Sequence, residues 1–140
     1  MSIEIKTMSS SEIAAWDTYV NAHPQSTLYH LSGWKNIIEK TYGHKTYYLV
    51  ARSTSSSFHP AMSYELDRDS DPKLSANSYE LDSNRVVGIL PLVHLRHFIF
   101  GNSLISIPFF DMGGILADDV EIEKALLSEA IKLGHEMRAK

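Results

Sequence analysis

Two aspartates sit on either side of a glycine pair in the connection Asp111-Met112-Gly113-Gly114-Ile115-Leu116-Ala117-Asp118-Asp119-Val120-Glu121. A carboxylate at the C-terminal end of a strand can orient or deprotonate an attacking amine once it lies within hydrogen-bond reach. Asp111 and Asp118 are therefore the candidate catalytic groups. Asp118 has a second reading as the cap of the helix that follows, since a side-chain oxygen there accepts an unpaired backbone N–H. His30 is the next candidate. It stands beside Tyr29 ahead of a helix, where an imidazole can donate to a phosphate or a sugar. Trp34 lies on the apolar stripe of that helix, so packing accounts for it without a ligand.

Other chemistries lack their residues. The chain has no cysteine, which removes disulfides, thiolate metal sites and cysteine nucleophiles. Its seven histidines include no pair at helical i, i+4 spacing and no zinc signature; His94 and His97 are three apart in a strand-like run, and His23 and His30 flank a proline loop. No Gly-x-Ser-x-Gly elbow and no Walker loop occurs. A formal charge of -4 gives no long-range attraction to a nucleic acid backbone.

The elements that must position these residues follow from patterning. A chain of 140 residues, 44% of them hydrophobic, suits one globular domain. Ile3-Glu4-Ile5-Lys6 alternates like a strand, and Ser9 with Glu12 can form a capping box ahead of a helix bearing Ile13, Trp16 and Val20 on one face. Pro24 stops that helix. A second helix is expected from Ser32, with Trp34, Ile37, Ile38 and Thr41 facing inward and Gly43 as its cap. Tyr47 to Ala51 reads as a strand. Residues 53–84 read as a polar insertion, with six acidic and two basic residues and Ser-Tyr-Glu-Leu-Asp occurring twice. Arg85 to Leu95 is an apolar run expected to be a strand covered on both faces, in which Pro91 must fall at a bulge or an unpaired side. Ser103 to Phe110 supplies another strand. A final helix from Asp119 to Arg138 carries Ile122, Leu126, Ala130, Leu133 and Met137 along one stripe.

Three segments give this order a likeness. Ser26-Thr-Leu-Tyr-His-Leu-Ser-Gly-Trp-Lys-Asn-Ile-Ile-Glu-Lys-Thr-Tyr-Gly43, Val87-Gly-Ile-Leu-Pro-Leu92 and Ile107-Pro-Phe-Phe-Asp-Met-Gly-Gly114 resemble, in that order and at those distances, the N-terminal part of FemAB-type acyltransferases, notably those associated with exopolysaccharide and PEP-CTERM systems. The resemblance covers most of the chain outside residues 53–84. It implies an α/β (α+β) fold of the GNAT-like kind, a mixed sheet flanked by helices, incomplete at the C-terminus. It implies an acceptor cleft lined by Tyr29, His30, Trp34 and Lys35, with an aromatic ring against a sugar or peptide and the lysine near a diphosphate. The chain departs from the peptidoglycan-bridging members at Phe109-Phe110-Asp111-Met112, where they carry an Arg-Gly step.

The expected role is then acceptor binding in a transferase that moves an acyl or aminoacyl group onto an amine of a cell-wall, peptidoglycan or exopolysaccharide precursor, inactive without a second GNAT-like domain. The donor would be an activated acyl group such as an aminoacyl-tRNA. No cofactor is expected, because Asp111, Asp118, Asp119 and Glu121 crowd the turn where acetyl-CoA would need pyrophosphate donors. A non-catalytic interaction module and a free-standing N-acetyltransferase are the alternatives. With neither signal peptide nor apolar span, a cytoplasmic location is expected, together with self-association through the open edge of the strand Ser103–Phe110.

Overall fold

The computed structural model describes residues 2–54, 84–99, 101–106 and 114–139. Asp111, most of the 53–84 insertion and the strand expected beyond residue 106 lie outside the described residues. Five strands form one sheet: β1 (Ile3–Thr7), β2 (Lys45–Ser53), β3 (Val86–His97), β4 (Gly101–Ile105) and β5 (Leu116–Ala117). Among the described residues, helices α1 (Ile13–Ala22), α2 (Gly33–Ile37) and α3 (Val120–Glu136) accompany the sheet. The fold is thus α+β, and every strand pair among the described residues is antiparallel, where a mixed sheet was expected.

β3 organises the sheet. β2 runs along one edge, while β4 and β5 share the other, opposite residues 93–97 and 88–89 respectively. The Tyr48 carbonyl accepts from Met8 N–H on the β1 side, so Tyr48 and its partner Pro91 form a non-hydrogen-bonded pair. The imide nitrogen of Pro91 therefore points toward the interval between the β4 and β5 ladders, where no hydrogen is demanded of it among the described residues. That is the unpaired side expected from the sequence. A bulge between Ala51 and Arg52, opposite Val86 to Gly88, lets Val87 join Leu90 and Leu92 on one face while Val86 and Ile89 serve the other.

Both faces of β3 are covered, as a continuous apolar run requires. On one side Trp16 and Val20 of α1 pack with Met8, Tyr48, Val50, Ile89 and Leu116. On the other, Ile122 and Leu126 of α3 meet Leu49, Ala51, Val87, Leu90 and Leu92, with Ala130 and Leu133 behind them. Gly88 is needed here, since a Cβ would stand 2.7 Å from Ile122 Cγ2 and 2.9 Å from Leu126 Cδ1. Ile13 stays partly exposed, at the first position of α1 after the 3₁₀ turn of residues 10–12.

The second helix departs from expectation. It opens as α2 but widens into a π turn over Ile38–Tyr42 before Gly43, at φ +67°, ends it. The wider turn breaks the 3.6-residue spacing that would have aligned Trp34, Ile37, Ile38 and Thr41. Of these four only Ile38 is buried. Trp34 instead leans on Tyr29, ring centroids 5.7 Å apart, and donates from Nε1 to the Leu28 carbonyl at 3.0 Å.

Candidate functional site

The site grows from a choice between two adjacent aspartates. Asp119 takes the cap of α3, its Oδ1 accepting from Ile122 N–H at 3.0 Å. Asp118 is left with its side chain free of the helix, at the end of β5, where its N–H donates to the bulge carbonyl of Val87 at 2.9 Å. Tyr19, one turn before the end of α1, aims its hydroxyl at both Asp118 Oδ1 (2.9 Å) and the Val87 carbonyl (3.0 Å). On the other carboxylate oxygen lies Arg85, Nη2 to Oδ2 3.3 Å.

These three side chains line a cleft of about 560 Å³ between the end of α1, the start of β3 and the β5–α3 turn. Ala15, Thr18 and Ala22 form its apolar wall on α1. His23 closes one side. Its Nδ1 accepts from Gln25 N–H at 3.1 Å, so in the neutral ring the hydrogen is on Nε2, which donates to the Ala117 carbonyl at 3.1 Å. Arg52 lies on the opposite side but is committed elsewhere, to Glu12 Oε1 at 3.2 Å and the Asn84 carbonyl at 2.6 Å.

The electrostatics assign roles. Burial pushes the Tyr19 phenol far above its usual range, and the hydrogen bond and charge of Asp118 push it further. Tyr19 is therefore a donor at any physiological pH and not a base. Asp118 accepts from Tyr19 and Arg85, yet a carboxylate offers about four acceptor positions, so it can take a further cationic donor from the cleft. Arg85 has an exposed side chain beside it and can meet an anionic group of the same ligand. The pairing suits a molecule that carries an amine and a negative charge together.

The residues expected to line an acceptor cleft are elsewhere. His30 is only 3% exposed, packed under the loop ahead of α2 with its carbonyl accepting from Trp16 Nε1 at 2.7 Å. Its Nδ1 accepts from Thr27 N–H at 3.0 Å. Its Nε2 is buried with no hydrogen-bond partner among the described residues, although the Gly114 backbone lies close enough to favour the protonated ring. Burial outweighs that help and holds the His30 pKa below the usual imidazole range. The ring is a core group and does not present itself to a ligand. Lys35 is engaged by Glu39 at 2.7 Å, which also accepts from Thr46 Oγ1. Burial opposes ionisation of Glu39, but these partners together hold its pKa below the usual carboxylate range.

Of the residues singled out from the sequence, the structure brings Asp118 into the cleft and keeps Tyr29, His30, Trp34 and Lys35 out of its lining. Tyr19, His23 and Arg85 were not singled out. Tyr19 and His23 carry a faint signal, an i, i+4 pair on the last turn of a helix that Pro24 must end. Arg85 carries none, because its value comes from a partner 33 positions away. Among the described residues no three His, Asp or Glu side chains gather as a metal would need, and no helix is long and apolar enough to cross a membrane. No family model, no curated protein and no solved structure matches the chain.

Proposed function

We propose that this chain is the acceptor-binding, GNAT-like part of a FemAB-type acyl or aminoacyl transferase acting on an envelope or exopolysaccharide precursor, and that the cleft at Tyr19, Arg85 and Asp118 receives the acceptor. The observation that carries the reading is Asp118 itself: relieved of capping by Asp119, it is held by a tyrosine and an arginine at the mouth of a cleft. A carboxylate so placed orients an ammonium group, and Arg85 takes the acceptor's phosphate or carboxylate. Element order supports the same reading, with a strand, two helices, a run of antiparallel strands and a long helix laid across them. The turn into α3 adds to it, since Asp118, Asp119 and Glu121 stand where the pyrophosphate of an acyl-CoA would need donors. The acyl donor and its activation belong to a second GNAT-like domain, so this part is inactive by itself.

Calorimetric titration with a diphosphate-linked sugar peptide bearing a free lysyl amine tests the reading. Binding to the 140-residue chain should weaken on N-acetylation of that amine and fall about tenfold or more with Asp118→Asn, the loss of one charge-assisted contact. Equal affinity for the amine and its acetylated form would remove Asp118 from acceptor recognition.

A further inference from the structure

The end of β3 away from the cleft carries an unrelated feature. In the turn joining β3 to β4, Phe98 is fully exposed (102% of its reference area) and Ile99 is 74% exposed, the two most exposed large apolar side chains among the described residues. Neither packs on the sheet. Adjacent apolar side chains held out in water on a protruding turn mark a contact surface.

The described residues at the tip are held in place. Ile99 N–H donates to His97 Nδ1 at 3.1 Å, and Gly101 closes the hairpin at φ +91°, a conformation that favours glycine. His94 Nε2 pairs with Asn102 Oδ1, and Asn102 Nδ2 donates to the carbonyls of Met137 (2.8 Å) and Arg138 (3.1 Å). Those last two bonds bring the end of α3 against the hairpin. Exposed Arg138 thus joins exposed Arg96 and His97 behind the apolar tip. The local charge is mainly positive: Arg96, His97 and Arg138 stand at this end with Glu136 as the nearby carboxylate on α3, in a chain whose formal charge is -4.

We propose that this hairpin docks on an anionic lipid surface, with Phe98 and Ile99 entering the boundary between headgroups and acyl chains and Arg96 and Arg138 lying at the level of the lipid phosphates. Two side chains on a convex turn cannot supply the roughly 800 Å² per partner of a standard protein interface. A bilayer asks for no shape complementarity, only apolar area and a positive collar, and both are present. So small an anchor binds reversibly and needs the anionic lipid. The inference is independent of how the cleft is read, since the twelve residues of β3 separate the two ends by roughly 35–40 Å.

Co-sedimentation with vesicles of phosphatidylcholine, with and without phosphatidylglycerol, at low and high salt, is the experiment. The protein should pellet with the phosphatidylglycerol vesicles and be released as salt rises. Phe98→Asp/Ile99→Asp should weaken binding roughly tenfold or more, and Arg96→Gln several-fold, with thermal midpoints close to the parent. Leu28→Asp, a change at an exposed apolar residue on another part of the surface, should leave binding unchanged. Phe98→Trp should bind as the parent does and shift its emission to the blue on vesicles. No binding to phosphatidylglycerol vesicles, or equal binding by the Asp/Asp variant, overturns the proposal. Self-association abolished by Phe98→Asp without vesicle binding also overturns it, in favour of a second copy of the chain.

Discussion

The two faces of the sheet are built from different materials. The α1 face is aromatic and mixed with polar atoms: Trp16 stacks on Tyr48 with centroids 5.0 Å apart, and His30 lies beneath the adjoining loop. The α3 face is mainly aliphatic, with Leu49, Ala51, Val87, Leu90, Leu92, Ile122 and Leu126 in its buried cluster and Tyr47 at its margin. On the α1 side, two buried polar atoms, His30 Nε2 and the Tyr48 hydroxyl, have no hydrogen-bond partner among the described residues. An aliphatic cluster is stabilised mainly by the apolar area it buries. An aromatic face with polar atoms also holds orientation, through bonds such as Trp16 Nε1 to the His30 carbonyl, and it becomes the place where pH acts.

That contrast can be broken most forcefully at Trp16. Trp16→Ala should cost about 3–5 kcal/mol, because it removes the largest fully buried side chain together with the indole bond that fixes the His30 loop. Urea unfolding checks the size, and a loss below about 1 kcal/mol would mean that the face can collapse around the gap. On the aliphatic side, Gly88→Ala should cost about 1–3 kcal/mol by crowding Ile122 and Leu126. Combined with Leu126→Ala it should cost less than the sum of the two single changes, since the shortened side chain makes room for the new methyl. Strict additivity would show that the Leu116 carbonyl, 3.2 Å from the added Cβ, is the real obstacle.

A smaller effect is the pH dependence that His30 should confer on the aromatic face. The folded pKa of His30 lies below its ordinary value of 6.5, so the unfolded chain binds a proton that the folded chain refuses. Stability from this group is complete above that pH and is lost as pH falls through it toward the folded pKa, with a slope of at most about 1.4 kcal/mol per unit. His30→Gln should flatten the curve as pH falls below about 6.5, and an unchanged slope would assign it to another histidine. Glu12 and Glu39 have depressed pKa values relative to 4.5, so their contribution goes at lower pH, in a separable step. The smallest effect belongs to Tyr48→Phe. Deleting a buried hydroxyl without a partner among the described residues should be neutral or stabilise by up to about 1 kcal/mol; a clear loss would reveal a partner for that oxygen.

What could be read from the sequence depended on the range of the interaction. Ser9 and Glu12 interact as anticipated, Ser9 N–H donating to Glu12 Oε2 at 2.9 Å, because a capping box is complete within four residues. The stripe at Ile122 and Leu126 and the placement of Pro91 were legible because helix period and a missing N–H are local facts. β5 was not, since two residues carry no period and exist as a strand only through their partners Gly88 and Ile89. The π turn after α2 was equally hidden, as its residues would serve an α-helix as well. At the site, the sequence offered Asp111 and Asp118 as carboxylates but left Asp118 with two readings, a catalytic group or the cap of the helix that follows. That decision rests on Tyr19 and Arg85, each distant in sequence, whose geometry only the assembled sheet creates.

The sharing of β3 by three ladders has a consequence for the order in which the molecule comes apart. Among the described residues β1 hangs on β2 alone, and β4 and β5 each hold only part of one β3 edge, whereas β3 meets β2 along most of its length. Opening at β1, β4 or β5 leaves the rest paired; opening at β3 undoes every ladder among the described residues except β1–β2. Hydrogen exchange should therefore grade across the sheet, fast in β1 and β5, slower in β4, and slowest in the β3 amides facing β2, where exchange awaits global unfolding. The cleft then sits on a seam, with Asp118 next to a two-residue strand that opens early and Tyr19 on a helix packed over the part that opens last.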